Sequence, residues 1–292
     1  MTPAVDVSRK LSATRLPWAK IGWFGALVLV CYAPILAALV RQWSNDEDMG
    51  HGFFVPVVAA YIVWQKREAL LAIPPKPDWR GLALVLYSAF QMTVGVLGTD
   101  LFTARTAMLF TLIGVVWTLG GSQILRKLSF PLILLFFMIP IPGVVYNQIT
   151  FPLQILASRL ATGALGVMGV PVFREGNILD LPTQRLSVVE ACSGIRSLLS
   201  LTFLSLVYGY FFEKKRWVQV VLFLATLPIA MVANGSRVTL TGVISQWRPD
   251  LAEGFFHEST GWVIFMIALA ILILFHQLVI RTSRLLAHGR PV

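Results

Sequence analysis

Long apolar segments constrain this chain more than any other feature of its sequence. A transmembrane helix needs roughly 20 apolar residues, because the hydrocarbon core of a bilayer is about 30 Å thick. The stretch IGWFGALVLVCYAPILAALV, from Ile21 to Val40, has that length and lies between Lys20 and Arg41. It is too long for the apolar core of a signal peptide. We therefore predict a retained transmembrane helix and an integral membrane protein.

Further apolar segments predict a polytopic bundle. The composition, with 57% hydrophobic and 13% charged residues and a mean hydropathy of +0.75, excludes an ordinary soluble domain. The expected fold class is an all-α membrane protein, with about eight transmembrane helices in a single domain over residues 1-292. The further segments are Phe53 to Trp64, Gly81 to Leu97, Phe102 to Leu119, Leu128 to Ile139, Ser193 to Phe212, Val218 to Ala233 and Gly261 to Ile280.

One further segment, from Asn147 to Val170, has two interpretations. It is long enough to span a membrane, but it carries Gln148, Gln154 and Arg159. Polar residues of this kind fit a helix that lies at the membrane interface. They also fit a helix that packs inside the bundle, and the sequence leaves both alternatives open.

The distribution of basic residues predicts the orientation in the membrane. Lysine and arginine concentrate in cytoplasmic segments. With a cytoplasmic N-terminus and eight crossings, every lysine lies on the cytoplasmic side, and residues 1-20 and 281-292 are cytoplasmic tails. A ninth crossing at residues 147-170 would place the EKKR block, Glu213 to Arg216, outside. The net charge of +10 therefore results from basic residues that orient the protein in the membrane, and it requires no nucleic acid partner.

The segment from Pro171 to Gly194 is the one sizeable outer segment in this topology. Its EGN and LP turn patterns separate the short runs NILDL and RLSVV. We predict a small extracytoplasmic hairpin over residues 171-191, which must pack against the bundle or a substrate because an isolated hairpin is marginally stable. Such a hairpin would bring Cys192 to the outer membrane surface, at the first turn of the next helix.

Cys192 has the surroundings of a nucleophilic thiol. A helix N-terminus and a nearby cation both favour the thiolate, and Arg196 follows four residues later. Glu190 opposes them if its side chain points toward the thiol. Cys31 lies too deep in its span to form a disulfide with Cys192. The alternative, that Cys192 is a small and half-buried residue without a chemical role, stays open.

Two further sequence blocks place polar residues on the same side of the membrane. ANGSRV brings Asn234 and Arg237 to the outer end of the seventh span, and HESTGW brings His257 to the start of the eighth. Thiolate attack on a peptide carbonyl requires a nucleophile, an oxyanion donor and an acid for the leaving amine. Cysteine, arginine and histidine can supply these groups. Taken singly, Arg237 could be a snorkelling anchor and His257 a solvated residue, but their convergence with Cys192 favours a site.

Five blocks together resemble the exosortase/archaeosortase family. They are GHGFFVPVVAAYIVW, FPLILLFFMIPIP, ACSGIRSL, ANGSRV and HESTGW, and the likeness runs from about Gly50 to the last span. The resemblance implies Cys192 as nucleophile, Arg237 as transition-state stabiliser and His257 as acid/base. It also implies substrates that are secreted proteins with a C-terminal sorting tail of a Pro-Glu-Pro-like motif, one membrane helix and a basic end.

The family pattern has further consequences for this chain. Arg196 matches CSG-x-R and could share the anion-stabilising role, whereas His51 suggests a structural or substrate-contact role. Relatives of the best-known subtype carry a further C-terminal domain, so the ending RTSRLLAHGRPV favours another subtype, such as type B. We expect a periplasm-facing site in a bacterial inner membrane, where the acyl group passes through a thioester to an acceptor.

The sequence also bears on metal and cofactor sites and on a second class of protein. The sequence has no H-E-x-x-H or C-x-x-C spacing and no phosphate-binding glycine motif, so we expect neither a metal nor a cofactor. The alternative class is a non-enzymatic transporter or polysaccharide-export subunit, in which intramembrane arginines would line a path. A transporter predicts a polar route through the bilayer, whereas an enzyme predicts polar groups gathered at one face.

Overall fold

The computed structural model describes residues 18–188, 194–248 and 255–288 of the chain. The chain divides into two compact units, of which unit 1 ends at Pro140 and unit 2 begins at Ile141. Both units are dominated by helices, which agrees with the all-α membrane class expected from the sequence. The interpretation of the whole chain as one membrane domain stays a prediction.

Unit 1 is helical throughout the part that the structure describes. Asp78 and Asp100 precede its two longest helices, and their carboxylates accept hydrogen bonds from the first-turn N–H groups. The α-helices are α1 (Trp18–Cys31), α2 (Ala33–Asn45), α3 (Phe54–Gln65), α4 (Arg67–Leu71), α5 (Trp79–Leu97) and α6 (Leu101–Leu134), with 3₁₀ helices at Glu47–Phe53 and Leu135–Met138.

Several helices have the length and apolar composition of membrane spans. Among the described residues there are 4, namely Trp79–Leu97, Leu101–Met138, Arg216–Trp247 and Ser259–Leu285. A fifth is the pair Gly22–Cys31 and Ala33–Asn45, if the two bent helices cross as one span. These helices fit a multi-pass membrane protein, whereas the eight crossings expected from the sequence stay a prediction.

The first apolar segment is bent, although its sequence predicts one continuous span. The axes of α1 and α2 differ by 72°. Pro34 lies in the first turn of α2, where it has no N–H to donate to the preceding helical turn. The bend therefore falls just before the proline, at Tyr32, whose hydroxyl lies 2.6 Å from Oγ1 of Thr111 in α6.

The range of α6 covers two apolar segments that the sequence predicts as separate spans, and a break at Gly121 divides this range into two helices. The backbone leaves the helical conformation at Gly121, with φ of 78° and ψ of 177°. The loop before α5 packs on this break, because the Lys76 N–H donates to Gly120 O and the Asp78 N–H donates to Thr118 O. The indole of Trp117 also donates to the Asp78 carboxylate, at 3.1 Å. A glycine in the left-handed region thus permits a sharp break within one helical element.

Unit 2 combines long helices with one small sheet. Its helices in the described residues are α7 (Gly143–Val167), α8 (Gly194–Phe212), α9 (Arg216–Trp247) and α10 (Phe255–His288). Helix α9 packs against α7, α8 and α10. Helix α7 covers the segment for which the sequence left two interpretations, and it buries Gln154 and Ser158 against its neighbours.

A three-stranded antiparallel sheet lies where the sequence predicts a hairpin. Its strands are β1 (Phe173–Glu175), β2 (Ile178–Asp180) and β3 (Arg185–Ser187), in that spatial order. Gly176, with φ of 64°, takes the first position of the two-residue turn between β1 and β2, where a type II′ turn requires positive φ. The sheet packs on α7 and α9 through a core of Ala157, Ala161, Leu165, Leu179, Leu181, Leu186, Val188 and Val238.

A buried polar network joins the other helices of unit 2. The hydroxyl of Tyr208 in α8 lies 2.9 Å from Nδ1 of His276 in α10. Nε2 of the same histidine lies 3.3 Å from the carboxylate of Glu213, in the loop before α9. The Glu213 carboxylate also accepts the Lys215 N–H at 2.7 Å, and these bonds hold its pKa below the usual range. The network fixes the loop end of α8 and α9 against α10.

Candidate active site

The site predicted from the sequence belongs to unit 2, and its flanking elements define where it lies. Cys192 and Glu190 are outside the described residues. The described chain reaches Val188, which is fully buried in the sheet core, and resumes at Gly194, the first residue of α8. The segment that carries Cys192 therefore connects the end of β3 to the N-terminus of a long helix.

Arg237 in α9 contacts the backbone of α10. A Cβ atom on Gly261 would lie 3.0 Å from Cζ of Arg237 and 3.1 Å from Nη2. Such distances are shorter than most side-chain contacts, so the guanidinium lies close to the space that a larger residue at this position would fill. Arg237 is partly buried at this position. The absence of a side chain at Gly261 is what admits the cation to the surface of α10.

His257 lies one helical turn before the residue that Arg237 contacts. Its backbone is in the first turn of α10, whereas its side chain is outside the described residues. Residues four apart share one face of a helix, and four residues advance the backbone by about 6 Å. The structure thus brings the Arg237 guanidinium to the face of α10 on which His257 lies, and to within about one turn of it.

Asn234 and Arg196 are both positioned near the packing of α8 on α9. Asn234 is 6% exposed and lines a small cavity together with Leu153 of α7, Leu198 of α8, and Ala230 and Met231 of α9. Arg196 is partly buried in the first turn of α8, two residues before Leu198. Three helices therefore converge beside the N-terminal end of α8.

His51 lies in unit 1, in the 3₁₀ helix Glu47–Phe53. Its Nε2 is 3.2 Å from the carbonyl oxygen of Phe137 in the second 3₁₀ helix. Burial lowers the pKa of His51, because the charged imidazolium loses solvation. Trp43 makes a parallel contact and donates its indole N–H to Met138 O at 2.9 Å. These bonds attach the DMGHGFF block to the FFMIPIP block.

The structure identifies two further residues of interest that the sequence did not indicate, a glycine and an arginine. Gly261 is the first, and a glycine inside an apolar helix one turn after His257 is the pattern that could have indicated it. The second is Arg105, 3% exposed in α6, which donates from Nη1 to Oε1 of Gln42 at 2.8 Å. An arginine within an apolar segment is an unusual residue that could have indicated this contact.

The described residues include no group of three or more His, Cys, Asp or Glu side chains that could hold a metal ion. The polar groups of the candidate site in unit 2 include the guanidinium of Arg237 and the side-chain amide of Asn234. The first turn of α10, whose backbone includes His257, lies one turn before the residue that Arg237 contacts. Asn234 offers a hydrogen-bond donor beside Leu198 of α8, and Arg237, about one helical turn further along α9, offers a positive charge. An arrangement of this kind can stabilise an anion that develops beside a nucleophile in the segment before α8.

Comparison with known protein families gives one match that covers most of the chain. The model of a family described as transmembrane exosortase matches residues 43–274. No curated protein and no solved structure matches the chain. The matched range includes both 3₁₀ helices of unit 1 and the elements of unit 2 up to the middle of α10, and therefore every candidate residue described above.

Proposed function

Since the chain belongs to the transmembrane exosortase family, we propose that it is a membrane-embedded cysteine transpeptidase that cleaves C-terminal sorting tails of secreted proteins. The observation that carries the proposal is the contact of the Arg237 guanidinium with Gly261, one turn after His257. Two of the three sequence blocks that bear the candidate residues thus meet in space. The third block begins at the end of β3, a strand whose core includes Val238, the neighbour of Arg237.

The acylation step assigns one role to each of the three residues. The Cys192 thiol gives its proton to His257, and the sulfur forms a bond to the scissile carbonyl carbon while the carbonyl π electrons move to oxygen. Arg237 stabilises the resulting oxyanion with its permanent charge, and Arg196 adds a second donor. The intermediate then collapses, the C–N bond breaks, and His257 returns the proton to the leaving amine. The products are a thioester on Cys192 and the released tail.

The second step transfers the acyl group. A nucleophile of the acceptor, or water, loses a proton to His257 and attacks the thioester carbonyl. The C–S bond breaks, and Cys192 leaves as a thiolate. Arg237 again faces the oxyanion, because both steps pass through the same type of tetrahedral intermediate. Asn234 and Glu190 are proposed as supporting residues, and His51 as a structural or substrate-contact residue.

The substrate and the orientation are part of the same proposal. The tail would carry a Pro-Glu-Pro-like motif, one membrane helix and a basic end, and the site would face the periplasm of a bacterial inner membrane. The N- and C-termini would be cytoplasmic, in agreement with the positive-inside distribution of lysine. Membership of the exosortase family favours this enzymatic function over the transporter or export-subunit alternative.

The test is the processing of a tail-bearing reporter protein in cells. We expect Cys192→Ala to abolish shortening of the reporter and Arg237→Ala to lower its rate by roughly 10²–10³-fold, as loss of an oxyanion donor does. His257→Ala should lower the rate by roughly 10²–10⁴-fold through the loss of the acid/base. Cys31→Ala and Arg248→Ala are the matched controls and should process the reporter normally. Undiminished processing by Cys192→Ala would overturn the proposal.

A further inference from the structure

Strand β3 is an outer strand of the sheet and leads directly to the segment of Cys192. It pairs with β2, and the sheet order β1-β2-β3 leaves its other edge without a strand among the described residues. An open strand edge presents a row of backbone donors and acceptors that fits another extended chain.

The register of the sheet determines which backbone groups of β3 face this edge. The Val188 N–H donates to Asn177 O, and the Leu181 N–H donates to Gln184 O, each at 3.0 Å. Residues at even positions, such as Leu186 opposite Leu179, therefore direct their backbone groups toward β2. Arg185 and Ser187 direct their N–H and C=O groups to the open edge. Within the described part of the chain, neither residue has a backbone hydrogen-bond partner on that side.

The strand is held in this register from its buried face. Leu186 is 8% exposed, and Val188 is fully buried in the core shared with α7 and α9. A slip by one residue would move both apolar side chains out of that core, so the pairing is strongly specified. The open edge of β3 is consequently a rigid surface whose donors and acceptors have fixed positions.

The edge lies within reach of the proposed nucleophile. Cys192 follows Val188 by four residues, and four residues span at most about 14 Å when fully extended. A peptide that pairs with Arg185 and Ser187 would therefore have its scissile bond within a few residues of the paired segment. The end of β3 and the N-terminus of α8 thus limit how far the thiol can lie from this edge.

The side chains at the edge favour recognition of the main chain. The guanidinium of Arg185 is engaged within the sheet, at 3.1 Å from Asp180 and 3.5 Å from Glu175. Ser187 is small and partly buried. Neither side chain offers a specific pocket, whereas both backbones offer hydrogen bonds that any extended peptide can accept and donate.

We propose that β3 binds an extended segment of the substrate polypeptide beside the scissile bond as an added strand, through the backbone groups of Arg185 and Ser187. The proposal rests on the proposed function, because it assigns the binding mode of that substrate. Main-chain pairing gives affinity without a strict sequence requirement, as in other cases of strand addition. It also aligns the scissile carbonyl relative to the N-terminus of α8.

The test measures binding of a synthetic peptide that carries a Pro-Glu-Pro-like motif and its flanking residues, labelled with a fluorophore, to the full-length Cys192→Ala chain. The peptide is N-methylated at one residue at a time, at every residue other than proline. We expect N-methylation to weaken binding roughly threefold to tenfold at alternate residues and to leave the residues between them unaffected, because alternate N–H groups of a strand face the same edge. Equal effects at successive residues, or no binding, would overturn the proposal.

Variants of β3 provide the second arm. Ser187→Pro removes the N–H at the open edge and leaves the hydrogen bonds between β3 and β2 intact, so it should weaken binding roughly threefold to tenfold. Ser187→Ala keeps the N–H and should bind as the unchanged chain does. If Ser187→Pro instead alters the oligomeric mass and leaves peptide binding unchanged, the edge pairs with a second copy and the proposal is wrong.

The two proposals fail in different ways. Cleavage of the peptide by the chain that retains Cys192, without the alternating pattern in binding, would retain the enzyme and reject the strand addition. Binding with the alternating pattern, but without cleavage dependent on Cys192, would retain the strand addition and reject the enzyme. Binding and cleavage are measured on the same peptide, so the comparison needs no further substrate.

Discussion

At the scale of single residues, the fit between Arg237 and Gly261 is the most sensitive feature of the candidate site. A methyl group at Gly261 would lie 3.0 Å from Cζ of the guanidinium. The guanidinium would have to shift by a few tenths of an ångström, because all three of the nearest atoms belong to it. We therefore expect a substitution at Gly261 to affect the proposed site through the position of Arg237.

We predict that Gly261→Ala lowers the rate of tail processing several-fold, because the guanidinium must shift by a few tenths of an ångström and a displacement of about 1 Å costs up to roughly 100-fold. The matched control is Gly163→Ala in α7, where an added Cβ meets no atom within 4 Å. Rates measured on a reporter at equal expression should show the loss for Gly261→Ala and none for the control. Equal rates for the two variants would show that the contact has no part in catalysis.

His51 gives a prediction about pH. Burial lowers its pKa in the folded state, whereas in the unfolded chain the pKa of this histidine is about 6.5. The unfolded state therefore binds more protons as the pH falls below 6.5, and the folded state loses stability there. We expect thermal unfolding in detergent to show a steeper decline between about pH 6.5 and 5 for the unchanged chain than for His51→Gln. Identical declines for the unchanged chain and His51→Gln would contradict the assignment of this pH dependence to His51.

At the scale of elements, the break in α6 depends on one glycine. Gly121 has φ of 78°, and a Cβ atom there would collide with the carbonyl oxygen of Lys76. We predict that Gly121→Ala lowers the free energy of unfolding by about 1–3 kcal/mol, from the left-handed backbone and the collision together. Gly166→Ala in α7, with no atom near its Cβ, should change it by less than about 1 kcal/mol. A similar loss in both variants would assign no special role to the break.

The sequence predicts some elements well and others poorly. The apolar segments of α5, α9 and α10 are evident from composition, because an apolar run of that length has few alternatives to a membrane helix. The 72° bend after α1 and the exact position of the break at Gly121 depend on how loops pack, which composition does not encode. The additional strand β1 was also unexpected, since its three residues, Phe173–Glu175, have little pattern of their own.

The candidate site shows the same division. The order of the three blocks and the chemistry of cysteine, arginine and histidine could be read from the sequence. The contact between Arg237 and Gly261 could not, because packing between two helices depends on their crossing and not on residue spacing. The open edge of β3 was equally hidden, since it follows from the register with β2.

At the scale of the whole molecule, the orientation in the membrane is the prediction that governs the others. In the eight-crossing topology Lys215 is cytoplasmic and Glu253 is periplasmic. We expect a membrane-impermeant thiol reagent applied to intact spheroplasts to label Glu253→Cys and to spare Lys215→Cys. Both variants are built on Cys31→Ser and Cys192→Ala, so that the reagent meets a single cysteine. Labelling of Lys215→Cys from outside would reverse the topology and separate the proposed site from its periplasmic substrates.

Helices α9 and α10 both run between the basic loop before α9 and the region of Arg237 and His257. Helix α9 begins at Arg216, beside the EKKR block, and ends at Trp247, so it carries Arg237 toward the end opposite the lysines. Helix α10 runs back from His257, and its His276 joins Glu213 near the start of α9. His257 and His276 of α10 therefore lie toward opposite ends of α9, and the proposed chemistry belongs to the end away from the basic loop.

The most direct test of the central claim is to trap the thioester with hydroxylamine. The purified full-length chain is incubated with a tail peptide and hydroxylamine, and the shortened product is weighed by mass spectrometry. We predict a product that ends in a hydroxamate, formed by Cys31→Ala and by the unchanged chain and absent with Cys192→Ala. A shortened product of the same amount from Cys192→Ala, or one that ends in a free carboxylate at every hydroxylamine concentration, would contradict a thioester on Cys192.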